Sequence, residues 1–232
     1  MDFLRLALPG LSLCLLSSCA SVSVKDERLA TKQPAQKPAQ IYVADFRTDK
    51  GSFKADGKDG KDLEAFQQRT VTILSTRLVK ELEAHVAPAR RATDVGKLPR
   101  KGWLVTGTFE RVNPGSRWLR VGIGLGAGGT KMETRVAVYD LASGRKPFLT
   151  FATTGGSNAM PGMIISSSPL SVALNIIRQA NRGVPDDCAR TSRMVAGVLN
   201  EYLVDRQWLP DSRRFSAKRL GQYQLLHEHF MP

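Results

Sequence analysis

Alternating and helical patterns of hydrophobic residues divide the middle of the chain into strands and helices. Ile41 to Phe46 is a short β-rich run that predicts a first strand. Asp62 is placed to cap a helix whose hydrophobic residues fall near one stripe: Leu63, Phe66, Ile73, Leu74, Leu78 and Leu82. Polar residues such as Gln67 and Glu83 are available for the opposite face, which is typical of a helix packed on a core.

The next segments predict an antiparallel meander. Val86 to Ala92 is a short strand pattern, and Trp103 to Val112 is a better one. Lys131 to Leu141 alternates between one set, Met132, Thr134, Val136 and Val138, and another, Glu133, Arg135, Ala137 and Tyr139. A turn at Ser143 and Gly144 then leads to a returning strand, Phe148 to Thr154.

Two helices are predicted after a loop from Gly155 to Ser168. They run from Leu170 to Asn181 and from Asp187 to about Trp208, and Gly183 and Pro185 separate them. The expected fold class is α+β: a mixed, largely antiparallel sheet with helices packed on one face. We assign the folded domain to residues 41–209 and expect the basic, poorly periodic residues 210–232 to be a loosely ordered tail.

The chain begins with the pattern of an export signal. Met1 to Arg5 is a short n-region with little positive charge, and Leu6 to Leu16 is an apolar run too short to span a membrane. The sequence Leu16-Ser17-Ser18-Cys19 resembles the lipobox of bacterial lipoproteins, which implies removal of residues 1–18 and acylation of Cys19. The residue after Cys19 is Ala20, whereas the inner-membrane retention signal of such lipoproteins has aspartate there. The resemblance therefore implies an outer-membrane anchor and a domain that faces the periplasm.

Residues 19–40 are predicted to be a lipidated cysteine followed by a flexible tether. The segment is polar, and a Gln-Pro-Ala-Gln sequence is followed at once by Lys-Pro-Ala-Gln. Proline and alanine in such a context favour an extended and poorly packed chain. We therefore expect the tether to lift the domain away from the lipid surface.

The net charge of +13 bears on the partners. A basic protein in the cytosol would suggest nucleic acid, but an exported protein meets lipid phosphates, lipopolysaccharide and acidic wall polymers first. We therefore expect contact with the membrane through the lipid anchor, and with either an envelope protein or an anionic envelope polymer. Self-association into a homo-oligomer is a further alternative, and nucleic acid is not expected.

The three cysteines cannot build a disulfide framework. Cys14 lies in the leader, Cys19 ends it, and Cys188 stands alone in a helical pattern. We expect Cys188 to be a buried structural thiol rather than a reactive one.

Gly122 to Gly129 is a conspicuous glycine-rich run. Gly124, Gly126 and Gly129 satisfy the spacing of a dinucleotide fingerprint, but that site requires a following helix, whereas Lys131 onward alternates like a strand. Two interpretations stay open. The run is either a tightly packed internal strand or loop, or a surface for self-assembly or membrane contact.

A basic and aromatic cluster precedes this run. Together with alternate glycines it is the candidate interaction surface, made of Arg117, Trp118, Arg120, Gly122, Gly124 and Gly126. The competing interpretation is that the arginines are solvated and flank a core tryptophan.

The chain offers little catalytic chemistry. His85 ends a helix, and His227 and His229 lie near the C-terminus without a third ligand in view, so we expect no metal and no cofactor. The acidic residues Asp45, Asp140, Asp186 and Asp187 are explained as turn or cap residues. We expect a binding or assembly module rather than an enzyme, with a periplasmic enzyme acting on cell wall or lipid as an alternative.

The chain resembles a group of uncharacterised bacterial lipoproteins that are defined only by a domain of unknown function. The resemblance lies in Gly102 to Phe109, Gly115 to Arg120, Val121 to Gly128 and Val136 to Gly144. More distantly, the order of these elements is similar to the curli-secretion-channel lipoproteins. That similarity implies an α/β periplasmic domain able to oligomerise at an outer-membrane assembly, so a secretion-channel-like component is an alternative function.

Overall fold

The computed structural model describes residues 21–49, 51–54, 60–115, 130–144, 146–156 and 183–220. These residues form seven strands and two α-helices. In chain order they are β1 (Ser21–Leu29), β2 (Ile41–Ala44), β3 (Arg47–Thr48), α1 (Gly60–His85), β4 (Ala89–Ala92), β5 (Trp103–Asn113), β6 (Lys131–Asp140), β7 (Leu149–Gly156) and α2 (Gly183–Asp205).

The strands form one mixed sheet. Its order is β1-β7-β6-β5-β2-β4, and β3 pairs with β5 beyond the end of β2. The pairs β1–β7, β7–β6 and β6–β5 are antiparallel, whereas β2 runs parallel to both β5 and β4. The predicted α+β class with a mixed, largely antiparallel sheet is confirmed.

The helices pack on one face of the sheet. Their buried residues, such as Leu78 and Leu199, share a single core with Ile41, Trp103 and Val136 from alternate positions of the strands. A smaller apolar cluster lies on the opposite face, which we call the open face: Tyr42, Ala44, Ala92 and Leu104, with Leu98, Tyr139 and Leu141 packed beside them. The sheet therefore has a helix-covered side and an open side.

The alternation predicted for β6 is present in the structure. Met132, Thr134, Val136 and Val138 are all fully buried, and the intervening residues are exposed or half-buried. Thr134 is tolerated in the core because its hydroxyl shares a hydrogen bond of 2.8 Å with that of Thr153 on β7. The sequence pattern thus identified the inward face of this strand correctly.

The helix boundaries differ from the predicted ones near the helix starts. α1 begins at Gly60 rather than after Asp62, and Asp62 lies in its first turn. Gly183 and Pro185, which were predicted to lie between two helices, lie in the first turn of α2. Proline is compatible with that turn, since its missing N–H would have no intrahelical partner there. The predicted helix from Leu170 to Asn181 lies outside the described residues.

The predicted tether is wrong over residues 21–29. This segment forms β1, which pairs with β7 from Ser21 opposite Gly156 to Leu29 opposite Leu149. Val22 and Val24 are buried in the process. The proline-containing stretch is also packed, because Pro34 and Pro38 are buried and the carbonyl of Pro34 accepts a hydrogen bond of 2.9 Å from Arg206. Long-range pairing outweighs the local preference for an extended, solvated chain.

The predicted loose tail is likewise wrong for residues 211–220. Ala217 is buried, and the backbone of this segment pairs with β1 through Val24 N–H to Lys218 O (2.7 Å) and Leu220 N–H to Val24 O (2.9 Å). Arg219 adds ion pairs to Glu27 on β1 and to Glu201 on α2. β1 is therefore held from both sides, by β7 and by this segment. Residues 221–232 lie outside the described part.

Gly155 sets how closely β1 approaches β7. A Cβ atom at this position would lie 2.2 Å from the carbonyl oxygen of Ser21 and 2.6 Å from the Cα of Val22. Because these are backbone atoms, they cannot move aside without breaking the pairing.

We expect Gly155→Val to lower the free energy of unfolding by about 2 kcal/mol, measured by urea titration, with faster hydrogen exchange at Val22. Thr150→Val, an isosteric change on the same strand, should cost less than about 0.5 kcal/mol; equal losses would contradict the close-approach explanation.

Candidate interaction surface

The surface predicted from sequence lies outside the described residues. This applies to Arg117, Trp118, Arg120, Gly122, Gly124 and Gly126, and also to Cys19. The structure does describe the two strand ends that flank the glycine-rich run, because Asn113 on β5 pairs with Lys131 on β6. Residues 116–129 therefore connect two neighbouring antiparallel strands. Both interpretations of the glycine-rich run, as an internal strand or loop and as a surface for self-assembly or membrane contact, stay predictions.

A shallow groove crosses the open face of the sheet. It encloses about 360 Å³ and is lined by Arg47, Thr106, Gly107, Thr108, Arg135, Val136, Ala137, Tyr139 and Thr150. The strand register arranges its polar side chains in two rows. In the first row, Thr108 on β5 lies between Arg47 on β3 and Arg135 on β6 and is paired with both. The next row runs across β5, β6 and β7 and consists of Thr106, Ala137 and Thr150.

Two arginines thus flank a threonine in the groove. Neighbouring strands lie about 4.8 Å apart, so Arg47 and Arg135 leave the sheet about 10 Å from each other. Arg47 donates a hydrogen bond of 3.2 Å to the hydroxyl of Thr108. Arg135 is held by Glu110, with its Nε 2.7 Å from a carboxylate oxygen, but its side chain remains 60% exposed. Both guanidinium groups are therefore positioned and still accessible.

The chemistry of the groove suits a polar, anionic ligand. A guanidinium group presents a planar fork of donors that matches a carboxylate or phosphate. The threonine hydroxyls can donate and accept hydrogen bonds, and their methyl groups offer small apolar contacts. Tyr139 borders the groove and also packs against the apolar cluster on the open face. The arrangement combines charge, hydroxyl pairing and an aromatic ring on one rigid sheet.

The acidic residues noted in the sequence have structural partners. Asp45 accepts two hydrogen bonds from Arg91, at 2.7 and 2.6 Å, and one from Ser75 at 2.8 Å. The bond from Arg91 is the main reason why the pKa of Asp45 lies below its usual value, although partial burial opposes this. Asp140 accepts from the N–H of Ala142 at 3.1 Å in the hairpin turn, as predicted for a turn residue.

Asp187 is a fully buried carboxylate in α2. Burial raises its pKa, and hydrogen bonds to Thr130 and Arg190 oppose that rise. Because Arg190 lies one turn further along the same helix, the ion pair compensates the buried charge locally. The residue joins the start of α2 to the start of β6.

Cys188 is buried, as predicted. Its sulfur lies 3.9 Å from the carbonyl oxygen of Thr70 on α1, and burial raises the pKa of the thiol to about 12. Because the thiolate is the reactive form of cysteine, burial and the raised pKa both make this thiol unreactive. In a chain that begins at Ala20, where Cys188 is the only cysteine, we expect no reaction with Ellman's reagent in the native state and full reaction in guanidinium chloride. Rapid labelling of the native chain would contradict this placement.

The described residues contain neither a cluster of metal ligands nor a helix able to cross a membrane. No group of three histidine, cysteine, aspartate or glutamate side chains there is arranged to hold a metal ion. Neither α1 nor α2 has the length and apolar character needed to cross a membrane. His227 and His229 lie outside this part of the chain.

Residues 41–174 match the model of the DUF4410 family, a domain of unknown function. The match covers more than half of the chain, so the chain belongs to this family. This confirms the resemblance to a family defined only by a domain of unknown function. No curated protein matches the chain.

Solved structures with similar folds show only low similarity. The PelC dodecamer from Paraburkholderia phytofirmans is 12% identical, with 71% of this chain and 95% of that one covered and a TM-score of 0.37. A Xanthomonas campestris protein of the DUF330 family is also 12% identical, with 76% and 91% covered and a TM-score of 0.37.

The groove was not predicted from the sequence. Arg135 and Tyr139 were assigned to the polar face of β6, which is the face that lines the groove. The strand pattern of Trp103 to Val112 similarly places Thr106 and Thr108 on one face. Arg47 gave no signal, because the two-residue strand β3 is too short to show a period. Only the register across β3, β5 and β6 brings these side chains together.

Proposed function

We propose that this protein is an acylated envelope lipoprotein whose domain binds an anionic polysaccharide of the envelope without catalysing a reaction on it. Cys19 carries the lipid, the anchor lies in the outer membrane, and the domain faces the periplasm. The observation that carries the anchoring is the Leu16-Ser17-Ser18-Cys19 sequence after an apolar leader. The binding rests on the Arg47, Thr108 and Arg135 row in the groove and on the net charge of +13.

An anionic polysaccharide fits the groove better than a small apolar ligand does. Its carboxylate or phosphate groups would meet the two guanidinium forks, and its hydroxyls would meet Thr106, Thr108 and Thr150. The groove is open to solvent along the surface of the sheet, so it can accept part of a long chain without enclosing it. The excess positive charge attracts such a polymer from a distance.

Acylation is tested by metabolic labelling with an alkyne analogue of palmitate. We expect the wild-type chain and Cys188→Ser to carry the label and to sediment with outer membranes in a sucrose gradient. Cys19→Ser should carry no label and should leave the membrane fraction. An unlabelled wild-type chain would exclude the anchor, and labelled protein confined to the inner membrane would contradict the proposed location.

Polymer binding is tested by calorimetry with polygalacturonate and with lipopolysaccharide. We expect Arg47→Ala combined with Arg135→Ala to weaken binding at least tenfold, since each variant removes a charge-assisted hydrogen bond. Arg100→Ala combined with Lys101→Ala removes the same charge outside the groove and should change affinity less than about threefold, by screened attraction alone. Equal losses would show that net charge and not the groove binds the polymer, and no binding to either polymer would exclude this function.

A further inference from the structure

Four strand ends lie side by side at one edge of the sheet. Ser21 begins β1 opposite Gly156, the last residue of β7, and Lys131 begins β6 opposite Asn113, the last residue of β5. The pairing of Met132 with Gly155 joins these two pairs. We call this the Ser21 edge. The opposite edge holds the other ends of the same strands, including Trp103 opposite Asp140.

The Ser21 edge is also where the acylated cysteine must lie. Only Ala20 separates Cys19 from Ser21, so the two Cα atoms can be at most about 7 Å apart. β1 cannot easily peel away to lengthen this connection. It pairs with β7 on one side and with residues 218–220 on the other, and Arg219 binds Glu27 at 2.9 Å and Glu201 at 2.7 Å. The lipid is therefore joined to a fixed point of the fold.

Basic side chains are exposed at this edge. Lys54 is placed there because its N–H donates to the carbonyl of Val112 at 2.9 Å, and Arg111 and Lys131 occupy the adjoining strand ends. Lys131 pairs with Glu133 at 3.1 Å, and Arg111 also acts on that carboxylate. Lysine and arginine side chains held near a bilayer are attracted to anionic headgroups. The edge that must lie near the lipid thus carries charge of the matching sign.

We propose that the Ser21 edge is the membrane-contacting surface of the domain and that Lys54, Arg111 and Lys131 bind the phosphates of anionic phospholipids. The proposal rests on the acylation of Cys19 given above. It places the strands steeply to the membrane, so that the opposite edge stands about 35 Å further from the lipid, the length of an eleven-residue strand such as β5. The groove then faces sideways, parallel to the membrane plane.

Depth measurements on the acylated full-length protein test the orientation. Bimane is attached to Asn113→Cys at the Ser21 edge or to Lys101→Cys at the opposite edge, and the protein is reconstituted into vesicles of phosphatidylcholine and phosphatidylglycerol with a headgroup spin-labelled lipid. The buried Cys188 does not compete for the label. We expect at least threefold stronger quenching at position 113 than at position 101. Equal quenching, stronger quenching at 101, or none at either would overturn the orientation.

Charge reversal separates headgroup binding from simple proximity. With bimane at position 113, Lys54→Glu, Arg111→Glu and Lys131→Glu together should reduce quenching in the mixed vesicles to its level in pure phosphatidylcholine. The matched control, Lys97→Glu, Arg100→Glu and Lys101→Glu, changes the charge equally at the other edge and should leave quenching within about a fifth of the wild-type value. Equal losses in both variants would overturn specific headgroup contact.

The two proposals can fail separately. Mass spectrometry of the N-terminal peptide from the same preparation reports whether Cys19 carries lipid. A chain without lipid there excludes the proposed anchor and the orientation together. A lipidated chain whose two labels are quenched equally excludes only the orientation.

Discussion

Replacing Asn200 with alanine should lower the free energy of unfolding by about 3 kcal/mol or more, because it leaves three backbone groups without partners. Asn200 is fully buried in α2. Its amide nitrogen donates to the carbonyl of His85 at 2.6 Å and to that of Arg213 at 3.1 Å, and its oxygen accepts from the N–H of Phe215 at 2.8 Å. One side chain thus joins the end of α1, the middle of α2 and residues 213–215.

Urea unfolding of a chain that begins at Ala20 measures this loss. Asn200→Asp is a sharper second variant, because a carboxylate keeps the shape and the acceptor but cannot donate to the two carbonyl groups. It should be at least as destabilising as alanine. Gln68→Ala, on an exposed position of α1, serves as the control and should change stability by less than about 0.5 kcal/mol. A loss below about 1 kcal/mol for Asn200→Ala would contradict the buried hydrogen-bond role.

The parts of the fold that the sequence predicts are those whose pattern is local. Inward and outward residues alternate along the ten residues of β6, and the hydrophobic residues of α1 repeat along one stripe. The local sequence of each element therefore predicts which of its faces is buried. β2, β5 and β7 are found within three residues of their observed ends for the same reason. These elements also supply most of the core, which is why the fold class follows from them.

The parts that the sequence does not predict are stabilised by distant partners. β1 contains only two buried apolar residues, Val22 and Val24, before a run of charges, so its local pattern is weak. It is a strand because β7 and residues 218–220 pair with it, both at least 120 residues away. Asp26, with φ of 54°, lies where the register with β7 shifts, which further disguises the alternation. No window of local sequence contains this information.

The groove is a consequence of register rather than of composition. Arg47 and Arg135 are separated by 88 positions in the chain. They lie in one groove only because β3 and β6 both pair with β5 at Thr108. A scan for basic clusters finds Arg117 and Arg120 instead, because they are close in sequence. Such a scan does not find basic residues that are distant in sequence and are brought together by strand pairing. The sequence therefore shows the positive net charge of the protein but not the groove in which these two arginines lie.

Trp103→Ala should cost about 3 to 5 kcal/mol, the largest single loss that we expect from an aromatic residue of this core. Trp103 is 1% exposed and begins β5. Its ring centroid lies 4.8 Å from that of Phe148, 5.7 Å from that of Tyr202 and 6.3 Å from that of Trp208. Removing the indole leaves a cavity that three rings border, and rings at the ends of a strand and a helix cannot collapse into it without moving the backbone.

Trp208→Ala is the matched control for this prediction, because it removes the same side chain from the rim of the same cluster. Trp208 is only half-buried, so we expect a loss of about 1 to 2 kcal/mol, including its contact with Arg206. Urea unfolding followed by far-ultraviolet circular dichroism compares the two variants without relying on tryptophan fluorescence.

The cluster also holds the N-terminal stretch, since Tyr202 donates a hydrogen bond of 3.2 Å to Gln33. Trp103→Ala should therefore speed proteolysis between β1 and β2, and equal losses of stability in the two variants would show that Trp103 is not the centre of the cluster.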